Sequence, residues 1–293
     1  MFNKDNNIRL KHSQNFLQNK NLVSELIKES NICKDDIVVE IGGGKGIITE
    51  QLIKKCREAY VIEYDYHLYK KLKDKFNNER NISIFYEDFL KFQLPKEYKY
   101  KVFSSIPYNI TAAIISKLTS SCNPPEDIYI IIQEEAARKY AGNPYNRESM
   151  RSLLLKPYFD FEIIRNLKRT DFSPIPSVDS VFLHIKKRKY PLISHDKKKL
   201  YYDFISYIFN NSGQNMKNKC KHIFSYKQIK RLSNDIGFKM TDSPTCLSFE
   251  QWLKVFQYFV IGVSHEKKRL IYNSYSKLLE EQKKIDKIHR SRK

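Results

Sequence analysis

Cysteine is scarce and unpatterned in this chain: Cys33, Cys56, Cys122, Cys220 and Cys246 stand apart, with no CxxC pair and no histidine cluster at zinc spacing. That scatter excludes a disulfide-stapled framework and a zinc site, and the odd count fits a reduced, cytosolic, metal-free protein. Long apolar runs are also missing, since none approaches the roughly 18 residues of a membrane span. Met1 to Lys11 is polar, which argues against a signal peptide, and no lipidation motif is present. Glycine is sparse, and four of the eight fall between positions 42 and 46.

Acidic residues are outnumbered, 33 Asp and Glu against 53 Lys and Arg, for a net charge of +20. Residues 191–293 hold 21 basic against 9 acidic side chains, a net +12, so about a third of the chain carries more than half of the excess. A composition rich in Lys, Asn, Ile and Tyr would not by itself lower the acidic count. The imbalance therefore points to a polyanion, a nucleic acid above all, as partner. At 293 residues the chain has room for one catalytic domain and a smaller satellite.

From Asp36 to Lys186 apolar runs alternate with helical patterns, the signature of βα units on a parallel sheet. Strands are predicted at Ile37–Ile41, Tyr60–Ile62, Ile82–Tyr86, Tyr100–Ser104 and Ile128–Ile132. Phe161–Ile164 and Val181–Ile185 read as a closing antiparallel pair. Helices are predicted at Ile47–Lys55, Leu68–Phe76 and Thr111–Leu118. The fold class is α/β, with a mostly parallel seven-stranded sheet. A linker is read at 186–199, and then helical patterns at Leu200–Phe209, Tyr226–Ile236 and Phe249–Val260 form a small helical domain. The expected division is therefore 1–188 and 189–293, with the charged His265–Lys293 either a further helix or a frayed tail.

The chemistry concentrates where predicted strands end. Glu40-Ile41-Gly42-Gly43-Gly44-Lys45-Gly46 follows the first strand, where glycines permit close ligand approach and the next helix offers its positive N-terminus. A dinucleotide fingerprint would place its third glycine at Ile47, and no Gly-Lys-Ser/Thr follows, so an adenosyl ligand without a pyrophosphate fits better. Glu63, ending the next strand, can accept from both ribose hydroxyls, and Asp88, ending the third, from an adenine amine. Asp65 or Asp88 can alternatively serve as a helix cap. Ile106-Pro107-Tyr108-Asn109 fixes an aromatic ring beside a stiff proline, and Phe172-Ser173-Pro174-Ile175-Pro176 is a second stiff loop.

With Gln14-Asn15-Phe16-Leu17 ahead of these motifs and Ser177-Val178-Asp179-Ser180 behind, the chain resembles the S-adenosylmethionine-dependent adenine-N6 methyltransferases of the ribosomal RNA dimethylase superfamily. Glu134-Glu135-Ala136-Ala137-Arg138-Lys139, Pro191-Leu192-Ile193-Ser194-His195, Ile223-Phe224 and Gln251-Trp252 resemble its Erm branch, which modifies 23S rRNA and confers macrolide, lincosamide and streptogramin B resistance. The resemblance implies a class I methyltransferase fold and S-adenosylmethionine as cofactor, held by Asn15, Leu17, Gly42, Glu63, Asp88 and Ser105. It also implies a flipped adenosine of 23S rRNA as acceptor, mono- or dimethylated, with Ser105, Tyr108 and Phe172 around the reacting base. Arg9, Lys11, Arg138 and Lys139 are candidates for RNA phosphates, and a cytoplasmic monomer without metal is expected. Two departures stand out: Ser105 replaces the family's usual Asn, and Arg138-Lys139 reverses the usual order of the basic pair. The alternatives are a housekeeping 16S rRNA adenine dimethylase, or a non-catalytic nucleic-acid-binding relative.

Overall fold

The computed structural model describes residues 15–291. A two-residue strand, β1 (Phe16–Leu17), precedes helix α1 (Lys20–Glu29), which Asn19 caps by accepting from the N–H groups of Asn21 and Leu22. Then come β2 (Ile37–Ile41), α2 (Ile47–Leu52), β3 (Glu58–Glu63), α3 (Tyr66–Lys75), β4 (Ile82–Tyr86), β5 (Lys101–Ser105), α4 (Thr111–Ser120), β6 (Asp127–Gln133), α5 (Glu134–Ala141), α6 (Met150–Leu155), β7 (Phe159–Leu167), β8 (Phe172–Ser173) and β9 (Ser180–Lys187). Helices α7 (His195–Asn210), α8 (Met216–Cys220), α9 (Tyr226–Ile236), α10 (Phe249–Gly262), α11 (His265–Arg269) and α12 (Ser274–Ser291) complete it.

Seven strands form one sheet in the order β4-β3-β2-β5-β6-β9-β7. The first five are parallel in register, and β9 runs antiparallel to β6. Chain order reverses beside β2, so the C-terminal ends of β2, β3 and β5 open a crevice there. All five residues of Ile37-Val38-Val39-Glu40-Ile41 are buried, as expected for a β-branched strand covered on both faces. The edge strand β4 buries Ile84 alone among its five residues.

A separate two-stranded sheet pairs β1 with β8, Phe16 opposite Ser173 and Leu17 opposite Phe172. It stands outside the predicted set, because two-residue strands have no periodicity to read. It also changes the position of Phe172, whose ring is buried in an apolar cluster with Leu17.

The described residues form two compact units: those up to Ala137 with Asp160–Lys187, and Arg138–Phe159 with those from Arg188 onward. The second differs from the sequence-based division by taking in 138–159. The cause lies in pairings that residue patterns do not reveal. Tyr201 on α7 donates to the carbonyl of Leu153, Arg188 donates to that of Lys156, and Lys156 pairs with buried Glu148. Within this unit, capping boxes start α9 (Ser225 with Gln228) and α10 (Ser248 with Gln251), and Trp252 is fully buried with its ring N–H on the Pro244 carbonyl. Among the described residues no helix is long and apolar enough to cross a membrane.

Candidate active site

The turn after β2 is built for backbone approach. The Gly42 N–H donates to the Ile62 carbonyl at 2.8 Å, and a side chain at Gly43 would collide with Val61 and Leu72. Gly44 adopts φ +56, and a Cβ there would lie 3.0 Å from the ring of Phe16 on β1. Phe16 therefore lies directly over the glycine turn, with the Lys45 ammonium 5.3 Å from its ring centre.

Two buried carboxylates serve this turn differently. Glu63 receives the Gly44 N–H on Oε2 and the Asp65 N–H on Oε1, both at 2.8 Å. Each oxygen keeps a second acceptor position, enough for two ribose hydroxyls. Burial raises its pKa despite those hydrogen bonds. Glu40, inside β2, accepts from the Thr49 hydroxyl at 2.6 Å on Oε2, while its Oε1 is buried without a partner. Burial pushes its pKa up to about 8. An acid amid Ile37-Val38-Val39-Ile41 was the available signal for Glu40, although its strand pattern reads simply as core.

At the end of β5, Ser105 leads into Pro107 (φ −61), and Tyr108–Ile110 makes one 3₁₀ turn. The Tyr108 hydroxyl shares a 2.6 Å hydrogen bond with Ser180 on β9. Burial raises the phenol's pKa against the hydrogen bonds from Ser180 and Asn15, so it stays protonated at neutral pH. This tyrosine is held at both ends, by the proline turn and by its own hydroxyl.

Asn15, Leu17, Glu40, Gly42, Glu63, Ser105 and Tyr108 line one pocket, about 640 Å³ of space partly open to solvent. A wider cleft of about 1000 Å³ lies beyond, walled by Asn109, Gln133 and the loop from Pro174 to Val178, and Asn15 and Tyr108 border both. Of the expected site residues, Asn15, Leu17, Gly42, Glu63, Ser105 and Tyr108 thus converge. Phe172 borders neither space and is buried in the apolar cluster that includes Leu17; Ile175 and Val178 are the exposed apolar groups of that loop. Asp88 is outside the lining as well, and its Oδ1 accepts from the Leu90 N–H, a capping role. Arg138 and Lys139 belong to the second unit, where the Arg138 guanidinium donates to the Tyr145 carbonyl. Arg9 and Lys11 lie outside the described residues. Among the described residues no cluster of His, Cys, Asp and Glu suits a metal.

The pocket's donor set fits an adenosyl-amino-acid ligand: a bare glycine turn, an acid with two spare acceptor positions, and a buried carboxylate oxygen awaiting a donor. The fold is that of the class I S-adenosylmethionine-dependent methyltransferases. A profile of the ribosomal RNA adenine dimethylase family matches residues 5–260. An rRNA adenine N-6-methyltransferase of Bacteroides fragilis is 32% identical over 83% of this chain and 90% of its own length. A ribosomal RNA small subunit methyltransferase A of Fusobacterium nucleatum is 29% identical, over 85% and 96%. The crystal structure of the 23S rRNA methyltransferase ErmE aligns with a TM-score of 0.78 at 26% identity, covering 84% of this chain and 100% of that one. The chain belongs to the ribosomal RNA adenine dimethylase family, and is an enzyme.

Proposed function

We propose that the protein methylates N6 of an adenosine in 23S rRNA, and that this modification gives resistance to macrolide, lincosamide and streptogramin B antibiotics. The observation that carries the transfer chemistry is the shared wall: Tyr108 and Asn15 border both the glycine-turn pocket and the wider cleft. A cofactor on one side and a flat acceptor on the other would meet at that ring. S-adenosylmethionine supplies an electrophilic methyl on a sulfonium. Glu63 would hold the ribose, and Glu40 would ionise to receive a cationic ammonium.

An adenosine taken out of its RNA stack would lie against Tyr108, whose ring is fixed before the base arrives. Backbone carbonyls around Ser105-Ile106-Pro107 would accept from the amine and expose its lone pair, a role any residue supplies at position 105. The surplus proton on N6 leaves to water after transfer, so no strong base is needed. The wall toward RNA is Pro174, Ile175, Pro176 and Val178, a stiff apolar surface.

The Erm-like segments around Glu134 and Pro191 and the likeness to ErmE over 84% of this chain support 23S over 16S rRNA. The relative from Fusobacterium supports the second reading, a small-subunit dimethylase. Mass-spectrometric mapping of both rRNAs from cells expressing the chain tests the choice: methylated adenosine confined to 16S rRNA overturns it. Tyr108→Ala is expected to lower kcat/KM by roughly 5- to 150-fold, the range of one base–aromatic stack, with cofactor affinity nearly kept. Undiminished turnover removes the stacking role.

A further inference from the structure

Outside the site, the sheet-bearing unit carries on its surface a cluster of three tyrosines that the chemistry above does not use. Tyr66 opens α3 and Tyr86 ends β4, each 45% exposed, with ring centres 5.3 Å apart at 63°. Tyr69, one helical turn after Tyr66, is half-buried against both, at 6.4 Å and 27° from Tyr66 and 5.5 Å and 36° from Tyr86. The Lys70 ammonium lies 4.8 Å from the Tyr66 ring centre. Spacings of three, four and seven put Tyr66, Tyr69, Lys70 and Lys73 on one stripe of α3.

Helix α3 carries Lys70, Lys71, Lys73 and Lys75 against Asp74 alone. Rings backed by one another and rimmed by cations suit a flat anion-bearing ligand rather than an apolar protein face. Their place in the sheet agrees. Tyr66 lies three residues past Glu63, and Tyr86 is paired with Glu63 in the β3–β4 register, so the cluster stands on the same edge of the sheet as the glycine turn. None of the three tyrosines borders the pocket or the cleft.

We propose that Tyr66, Tyr69 and Tyr86 form a second base-stacking site that holds an unpaired nucleotide of the RNA substrate flanking the target adenosine. This rests on RNA being the substrate. Tyr66 and Tyr86 present the stacking surface, Tyr69 supports it from behind, and Lys70 and Lys73 meet the adjoining phosphates. The site tracks strand character rather than sequence, because every base offers a π face.

The test compares the full-length wild type with Tyr66→Leu/Tyr86→Leu and with Tyr66→Phe/Tyr86→Phe. The probes are a labelled short oligoadenylate, a blunt RNA duplex of equal charge, and S-adenosylmethionine. The leucine variant is expected to weaken oligoadenylate binding by about 5- to 100-fold, with duplex and cofactor affinities unchanged; the phenylalanine variant should match wild type. On rRNA the leucine variant should raise KM at constant kcat. Unchanged oligoadenylate affinity overturns the proposal, and so does a loss confined to the cofactor, which would assign the rings to its adenine. Ultraviolet cross-linking of oligoadenylate to the wild type reads the same site without any substitution: adducts on Tyr66 or Tyr86 are expected, and adducts confined elsewhere overturn it. These readouts need no turnover, so a negative result here is separable from a failure of 23S methylation.

Discussion

The two ends of the central sheet each hold buried acidic groups, Asp127 at one and Glu40 and Glu63 at the other, and settle them in opposite ways. At the N-terminal ends of the parallel strands, Lys101, Asp36 and Asp127 all have partners. The Lys101 ammonium reaches Asp36 at 2.9 Å and the Asn31 carbonyl at 2.8 Å. Asp127 takes His184 at 2.7 Å on one oxygen and the Asn31 amide at 3.0 Å on the other. Burial alone would raise the Asp127 pKa, but these hydrogen bonds more than offset it and the net shift is downward. The Tyr129 ring stacks on His184 at 4.3 Å, sealing the cluster. At the C-terminal ends, Glu40 and Glu63 have raised pKa values, backbone N–H donors in place of cations on Glu63, and one oxygen of Glu40 with nothing. Buried charge neutralised from within is scaffold. Buried acids left with spare acceptor capacity are what the proposed cofactor, with its ammonium and ribose hydroxyls, would satisfy.

The comparison breaks most visibly with pH. Glu40 keeps its proton in the folded protein up to about 8, while its ordinary value is 4.5. Below pH 4.5 both states hold the proton and nothing changes; between the two values unfolding releases it, so stability falls as pH rises. Relative to Glu40→Gln, the ligand-free wild type should lose about 3–4 kcal/mol between pH 5 and pH 8. Urea melts of both proteins across that window check it, and parallel curves would remove Glu40's special standing. The scaffold end should respond next. Asp127→Ala leaves His184 and Asn31 without their acceptor and should cost about 2–3 kcal/mol of stability while leaving cofactor affinity unchanged. A melt paired with calorimetric titration of S-adenosylmethionine measures both. The smallest effect on folding should come from Glu63→Gln, which keeps an acceptor for one backbone N–H and loses the charge. Cofactor Kd should rise by roughly 10- to 100-fold with stability moved by less than about 1 kcal/mol. A stability loss equal to that of Asp127→Ala would erase the distinction between the two ends.

Periodicity made the sheet-bearing unit legible. Ile37–Ile41 and Ile82–Tyr86 fall where alternation and apolar runs place them, and Tyr226–Ile236 follows a strong 3.6-residue pattern. Gly42, Glu63 and Tyr108 were readable because each sits at the end of such a run. What escaped is long-range or has no period. The β1–β8 pairing joins residues far apart in sequence, and Phe172 is buried beside it. Glu148 pairs with Lys156 eight residues on, inside a segment whose pattern gave no sign that it joins the helices after Arg188. Asp88 keeps both of its sequence readings, since its Oδ1 caps the turn at Leu90 and its Oδ2 has no hydrogen bond among the described residues.

The small β1–β8 sheet has a consequence for anyone who would retarget this enzyme, or for a lineage drifting toward another RNA. Phe16, laid over the glycine turn, is paired with Ser173, and the loop that walls the wider cleft begins at Pro174. A backbone change introduced upstream of Pro174 to suit a new nucleotide arrives at the cofactor's cover through two residues of strand. If the proposed site is right, specificity and cofactor retention would be tied together up to Ser173, and freedom to vary one without the other would begin only after it.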